Sequence, residues 1–429
     1  MDNLVYNYDK KFTLLYNKRN IINNDKIIVS NPQNGQWLKL SLECYEIIKN
    51  MCKMNISINE MLDSLYDNED RIYMNNLVEK LLEINVLVDN DMLKDINNLK
   101  IESISFAITH RCNLRCTHCC IDSDFQECSD ILSTEEIFKC IDKILQLKPE
   151  RLVLTGGEPL LREDFFDILK YSSNKFNGNV SVMSNATLID ESNAEIIAKL
   201  IDSIDISIDG VDEESCSIIR GEGVFEKVIS AIKLLQKYGQ TKISLSMVMT
   251  PNNKELLKEF DELCKKLNVK KILRGFENNM GRAKYNEQLL NKTYTHKKPD
   301  NSFVDSIPNF DNIKSGTCGA YYKQLSMTEN GDLFPCDLLD DSIFKICNVL
   351  TVENLYEYIR NEKNYQGSFN FFQSLLPNVF DKCKNCKVNF FCLSCMHDVY
   401  KMKNDPNRFF RYCEGRKQYL YKAVWNEKI

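Results

Sequence analysis

Nothing in these 429 residues reads as a membrane span, an export signal or a polyanion-binding surface. No run approaches the roughly 18 consecutive apolar residues needed to cross a bilayer. The opening stretch MDNLVYNYDKKF has no apolar core of the kind a secretory signal needs, so the chain reads as cytoplasmic. Positive charge is in deficit, with 55 Lys and Arg against 61 Asp and Glu and a formal charge of −6. That balance gives no reason to expect nucleic acid or a membrane surface as partner. What remains is 43% hydrophobic and 27% charged, the composition of a folded chain with an ample core. At about 100–200 residues per domain, it has room for two or three domains.

Cysteine is the residue in excess. Eighteen in a cytoplasmic chain call for a metal before a disulfide. Cys112, Cys116, Cys119 and Cys120 form one group, and eight more follow residue 317. Cys44, Cys52, Cys140, Cys216 and Cys264 stand singly in apolar or helical contexts and read as small core residues. Cys128 fits neither group. Cys112, Cys116 and Cys119 are separated by three residues and then two. Three thiolates so close can hold three irons of a cubane cluster, leaving the fourth iron open to a ligand. A structural zinc is the alternative.

With Gly156, Gly157, Glu158 and Pro159 downstream, the triplet resembles the radical S-adenosylmethionine (SAM) enzymes. That resemblance implies a [4Fe-4S] cluster whose open iron chelates SAM, and reductive cleavage of SAM to a 5′-deoxyadenosyl radical. An anaerobic life follows, because oxygen destroys exposed clusters.

The chain divides into three expected domains. Residues 1–98 show two strands around an Asn34–Gly35 turn within 26–40, then Ser41 as a helix cap. Helices over 59–66 and 71–84 and a closing strand over 86–88 complete a winged-helix-like pattern. Fifteen acidic against eleven basic residues give it the wrong sign for DNA. It resembles the leader-peptide recognition elements of ribosomally made peptide pathways, which add the leader as a strand to a sheet edge. A cap packed on the catalytic domain is the other reading.

Residues 99–310 alternate strand and helix patterns. The strands are expected at Ser103–Thr109, Arg151–Thr155, Asn179–Ser184, Ser203–Ile208, Lys242–Met249 and Lys270–Arg274. Six such repeats make an α/β fold, a partial (β/α)6 barrel of TIM type, with its chemistry beyond the C-terminal strand ends. The triplet follows the first strand and the Gly156–Pro159 motif the second. Through the resemblance, Gly156 and Gly157 let the backbone approach a ligand, and Glu158 receives the SAM ammonium. Ser184 and Asn185 are candidate ribose or carboxylate contacts, Ser207 and Asp209 end the fourth strand, and Arg220 faces the SAM carboxylate. Met247–Met249 would line the adenine pocket, and His118 packs against the cluster.

Residues 311–429 resemble the SPASM extension, which binds two auxiliary [4Fe-4S] clusters. The resemblance assigns Cys383, Cys386, Cys392 and Cys413 to one and Cys318, Cys336 and Cys395 to the other. The family has three residues where Cys392 and Cys395 are separated by two. It also has relatives with a further cysteine ahead of Cys318, absent here. Either Cys347 supplies the missing ligand, or one iron stays open for a substrate thiolate. Two Cys-x-x-Cys pairs also spell a zinc ribbon. Asp337, directly after Cys336, is a candidate base, as in sulfatase-maturing relatives, or caps a turn.

The three parts together resemble the maturases that form thioethers in sactipeptides and ranthipeptides. The implied activity joins a Cys sulfur to an unactivated carbon of a ribosomally made precursor peptide, with flavodoxin or ferredoxin as electron donor. Carbon–carbon cross-linking, Cys or Ser oxidation of the sulfatase-maturase type, and a non-catalytic peptide carrier or electron-transfer protein are the alternatives.

Overall fold

The computed structural model describes residues 6–15, 18–90, 100–124, 129–250, 253–276, 280–286, 313–316, 318–392 and 395–426. Cys128 lies outside them. The chain forms two compact units: residues 1–98, 301–319 and 370–429 make one, and residues 99–300 and 320–369 the other.

The first unit opens with β1 (Phe12–Leu14), β2 (Arg19–Asn23), β3 (Lys26–Ser30) and β4 (Trp37–Ser41). Helices α1 (Leu42–Met54), α2 (Ile58–Asp63) and α3 (Asn68–Glu83) follow, then β5 (Leu87–Asp89). Ser41 caps α1 by accepting from the Cys44 amide at 3.1 Å, as its position predicts. Gly35, at φ +73°, allows the turn between β3 and β4. The Asn31 and Asn34 side chains donate from this turn to the Ile84 carbonyl. The closing strand pairs with β1, and the hairpin gains β2 as a third strand, in the order β2-β3-β4.

Alternation along β3 gives this small sheet two buried faces. Ile27 and Val29, with Leu40, join Ile48, Val78 and Leu81 in one core. Ile28, with Ile21 from β2, joins Val388, Phe390, Leu420, Val424 and Trp425 in another. The second core belongs to the C-terminal helix Pro406–Trp425. Trp37 seals it by donating to the Ile313 carbonyl at 2.6 Å and packing edge-on against Phe391.

The second unit holds β6 (Ser103–Thr109), β7 (Arg151–Gly156), β8 (Asn179–Ser184), β9 (Ser203–Ser207), β10 (Ile243–Met249), β11 (Lys270–Gly275), β12 (Gln324–Met327), β13 (Asp332–Phe334) and β14 (Cys347–Asn348). They form one sheet in the order β11-β10-β9-β8-β7-β6-β12-β13-β14, parallel from β11 to β12. The first six strands lie where the alternation of patterns predicts, with helices such as Thr134–Gln146 between them. Ser133 and Glu136 form the capping box of that helix. Beyond the prediction, β12 pairs with β6, and β13 and β14 extend the same edge antiparallel. Ile104, Phe106, Leu152, Leu154, Val182, Ile204 and Ile206 are fully buried on one face. Period-two alternation sends Ser105, Thr155, Met183, Asp205 and Ser207 to the other face. The parallel strands all end on one side, and there the loops gather the predicted residues.

Candidate active site and cysteine centres

The loop after β6 carries Cys112 and Cys116, both buried, with Cys119 half-buried and Cys120 exposed. Thr109 Oγ1 fixes its start by donating to Asp130 at 2.5 Å and accepting the Arg111 amide. The Thr117 amide donates to the Ile219 carbonyl at 2.9 Å. Burial pushes the Cys112 thiol up to about 11 and raises Cys116. Any metal that binds must therefore displace protons from reluctant thiols.

Gly156 and Gly157, ending β7, are required by close approach. A Cβ on Gly156 would sit 2.2 Å from the Thr109 carbonyl oxygen, and one on Gly157 2.2 Å from that of Arg111. Their chain is stitched to the cysteine loop: the Gly157 amide donates to Thr109 at 2.9 Å and the Glu158 amide to Arg111 at 2.8 Å. Glu158 is fully buried and accepts from Ser184 Oγ and the Asn185 amide, both at 2.8 Å, and from the Leu160 amide at 3.2 Å. Burial pushes its carboxyl up to about 7, against those donors. Asn185 Nδ2 donates to Asn113 Oδ1 at 2.9 Å, and Asn113 to Thr187 Oγ1 at 2.9 Å. Ala186 stands at φ +57°, a position suited to glycine, and is completely buried.

After β9, Asp209 is buried at φ +59° and accepts from four donors. His118 Nε2 is 2.7 Å away, Arg220 Nε 2.7 Å and Arg220 Nη2 2.6 Å, all at Oδ2, while the Val248 amide donates to Oδ1 at 2.5 Å. Burial alone would raise Asp209, but Arg220 and His118 more than offset it and hold the carboxyl well below the usual range. Two of Arg220's donors are thus taken by Asp209, and Nη1 lies 3.7 Å from the Cys116 sulfur. Ser207 is half-buried, 3.4 Å from the Ser246 hydroxyl. Of the adenine candidates, Met247 is fully buried, while Val248 and Met249 are partly exposed. Asp337 is exposed and accepts from Ser105 Oγ at 2.5 Å.

Residues 106–265, which hold this loop, glycine pair and Asp209 cluster, match the Radical SAM superfamily. The chain carries a radical SAM domain. Among relatives, the antilisterial bacteriocin subtilosin biosynthesis protein AlbA of Bacillus subtilis (strain 168) is 26% identical over 307 residues, 68% of this chain and 66% of that protein. The mycofactocin maturase MftC of Mycolicibacterium smegmatis is 29% identical over 161 residues, 38% of this chain and 41% of that one. The chain thus spans less than two thirds of the length of these relatives. In fold it resembles Streptococcus suis SuiB bound to S-adenosylmethionine, with TM-score 0.54 and 18% identity, covering 92% of this chain and 97% of that one. SuiB bound to its precursor peptide SuiA matches with TM-score 0.53 and 17% identity, over 90% of this chain and 97% of that one.

The radical SAM domain is followed by a clamp that sequence reading missed. Gly281, at φ +45°, lies so close to the cysteine loop that a Cβ would meet the Cys119 carbonyl oxygen at 2.3 Å. Arg282 donates its amide to that oxygen at 2.8 Å and its guanidinium to the carbonyls of Cys116 and Ser123, at 3.0 and 2.5 Å. Asn286 Nδ2 donates to Thr117 at 3.0 Å. The loop that presents the radical SAM cysteines is therefore tied down both by the segment that ends β7 and by the segment that follows β11.

The second cysteine field falls partly in each compact unit. In the first unit, Cys383 lies within electrostatic reach of Cys386, Cys392 and Cys413, and those three of one another. Burial pushes Cys383 and Cys392 up to about 12 and raises Cys413. Cys318 and Cys395, also there, sense each other's charge. Cys336 and Cys347 belong to the second unit. Cys347 is buried on β14, and its charged neighbours are Asp332 and Lys345. Cys140, Cys216 and Cys264 are buried, and Cys44 and Cys52 pack half-buried against the N-terminal core.

Among the described residues, no three His, Cys, Asp or Glu side chains converge on a single ion. Sets of three or four thiolates suit a structural zinc as well as the clusters that iron and sulfide form. The donor sets, three buried or half-buried thiols after β6 and four mutually coupled ones near the C-terminus, fit such clusters.

Proposed function

We propose that the protein is a radical SAM peptide maturase that installs cross-links, foremost Cys sulfur-to-carbon thioethers, in a ribosomally synthesised precursor. The observation that carries this reading is the convergence, at the C-terminal ends of β6 to β9, of the three-cysteine loop with the Glu158 and Asp209 clusters. Cys112, Cys116 and Cys119 would hold a [4Fe-4S] cluster and leave one iron for SAM, which supplies a 5′-deoxyadenosyl radical when reduced. Glu158 orients Ser184 and Asn185, and Asp209 fixes His118 and holds Arg220 beside Cys116. These side chains fix polar groups around the bound cofactor and keep water out. Asp337, exposed and poised by Ser105, is proposed as the base that takes a proton from the substrate.

The first unit supports a peptide partner. Both faces of the β2–β4 sheet are buried, so its outer strands β2 and β4 offer backbone edges where a leader can add as a further strand. Among the described residues no helix is long and apolar enough to cross a membrane. We infer a cytoplasmic enzyme that receives its electrons from flavodoxin or ferredoxin.

The test is incubation of reconstituted protein with SAM, reductant and a candidate precursor peptide, sought among small neighbouring reading frames. A thioether lowers the peptide mass by two hydrogens per link and removes one alkylatable thiol. A carbon–carbon link gives the same mass with all thiols still alkylatable, and an unchanged peptide sinks the maturase reading.

A further inference from the structure

We propose that the basic surface of residues 381–426 docks an acidic, low-potential electron-carrier protein of the flavodoxin or ferredoxin kind. The proposal rests on the reading that Cys383, Cys386, Cys392 and Cys413 hold an iron–sulfur cluster. This segment has ten Lys and Arg against four Asp and Glu, in a chain whose formal charge is −6. Lys382, Lys384, Lys403, Arg411, Arg416 and Lys422 are exposed. Lys384 pairs with Asp381 at 2.8 Å. Lys382, Lys403 and Arg416 lie over the rings of Phe409, Phe371 and Tyr412, contacts that fix their stems without neutralising their charge.

The charge is gathered around the thiols. Lys382 and Lys384 flank Cys383, and Arg416 and Lys417 follow Cys413 by three and four residues on one helix. On the helix Pro406–Trp425, Cys413 falls on the seam of the buried Leu420 and Val424. At about 100° per residue, Arg416 and Lys417 flank that seam. Phe410, 61% exposed on the same helix, adds an apolar contact to the cationic rim. Such a rim speeds encounter with an acidic partner and loses its effect in salt. It also brings the carrier close to the thiol quartet, and electron tunnelling falls steeply with distance. One electron would leave the reduced centre of the carrier, which is oxidised, and would reduce the iron–sulfur cluster that Cys383, Cys386, Cys392 and Cys413 would hold. No atom or proton moves. Nucleic acid would feel the same charge, but the thiol quartet beneath favours a redox partner.

The test compares two triple variants of the full, cluster-loaded chain. One reverses the rim (Lys403→Glu, Arg411→Glu, Lys422→Glu), and the other reverses exposed cations of the second unit (Lys170→Glu, Lys199→Glu, Lys237→Glu). Bleaching of the iron–sulfur absorbance is followed with reduced flavodoxin and with dithionite, at low and high salt. The rim triple should slow reduction by flavodoxin about tenfold or more at low salt and converge with the parent at high salt. Its iron content and dithionite rate should stay unchanged. Equal flavodoxin rates in both triples, with iron retained, would overturn the docking. So would a rim triple that loses only affinity for single-stranded DNA. A Cys383→Ala, Cys413→Ala double variant that loses no iron removes the cluster reading, and the proposal with it.

Discussion

Glu158 receives hydrogen bonds from three neighbours yet sits in so dry a place that its carboxyl titrates at about 7. Its folded pKa lies above the unfolded value of 4.5, so the folded protein binds the proton more tightly. The contribution of Glu158 to stability is therefore fullest below about pH 4.5 and declines as pH rises to about 7, by on the order of 3 kcal/mol in the cluster-free protein. Glu158→Gln, which cannot ionise, should flatten that decline in urea midpoints taken from pH 5 to 7.5; an unchanged slope would contradict the assignment. Asp209 is the opposite case, a buried carboxylate kept charged by Arg220. Asp209→Ala strands that guanidinium and should cost about 3–5 kcal/mol in the same measurement. Gly157→Ala forces a Cβ onto the Arg111 carbonyl and should lower iron bound per chain, with a loss of about 3 kcal/mol or more. The cysteine spacing and the Gly156–Glu158 motif announce themselves in the sequence. Arg282 does not, because its partners are main-chain carbonyls, which every residue carries.

Among the elements, the parallel strands were legible because each carries a β-branched apolar stripe bounded by turn residues. Their predicted limits fall within a residue or two of β6 to β11. The strands β1, β2 and β12 were not. They are short, and β12 gains its identity from pairing with β6, more than two hundred residues earlier, which no local pattern encodes. The hairpin was visible, but not that its second face would be covered by a helix from the other end of the chain. That helix makes two predictions. Trp425, 1% exposed and donating to the Lys387 carbonyl at 2.8 Å, should cost about 3–5 kcal/mol as Trp425→Ala. Gly415, mid-helix with open space where a Cβ would go, should gain about 0.5–1 kcal/mol as Gly415→Ala. Thermal midpoints of the two variants should move in opposite directions.

At the scale of the whole molecule, in the maturase proposed above the radical SAM domain would remove the substrate hydrogen and the flanking regions would select the substrate and the outcome. The three-cysteine loop, held by Gly157, Glu158 and Arg282, is the part that everything else depends on. The direct measurement is 5′-deoxyadenosine formed from SAM under dithionite, in the reconstituted parent and in a Cys112→Ala, Cys116→Ala, Cys119→Ala variant. The account predicts deoxyadenosine from the parent and none above background from the triple variant, which should still hold the iron of its C-terminal cysteines. Equal deoxyadenosine from both proteins, or none from the fully reconstituted parent, would contradict it.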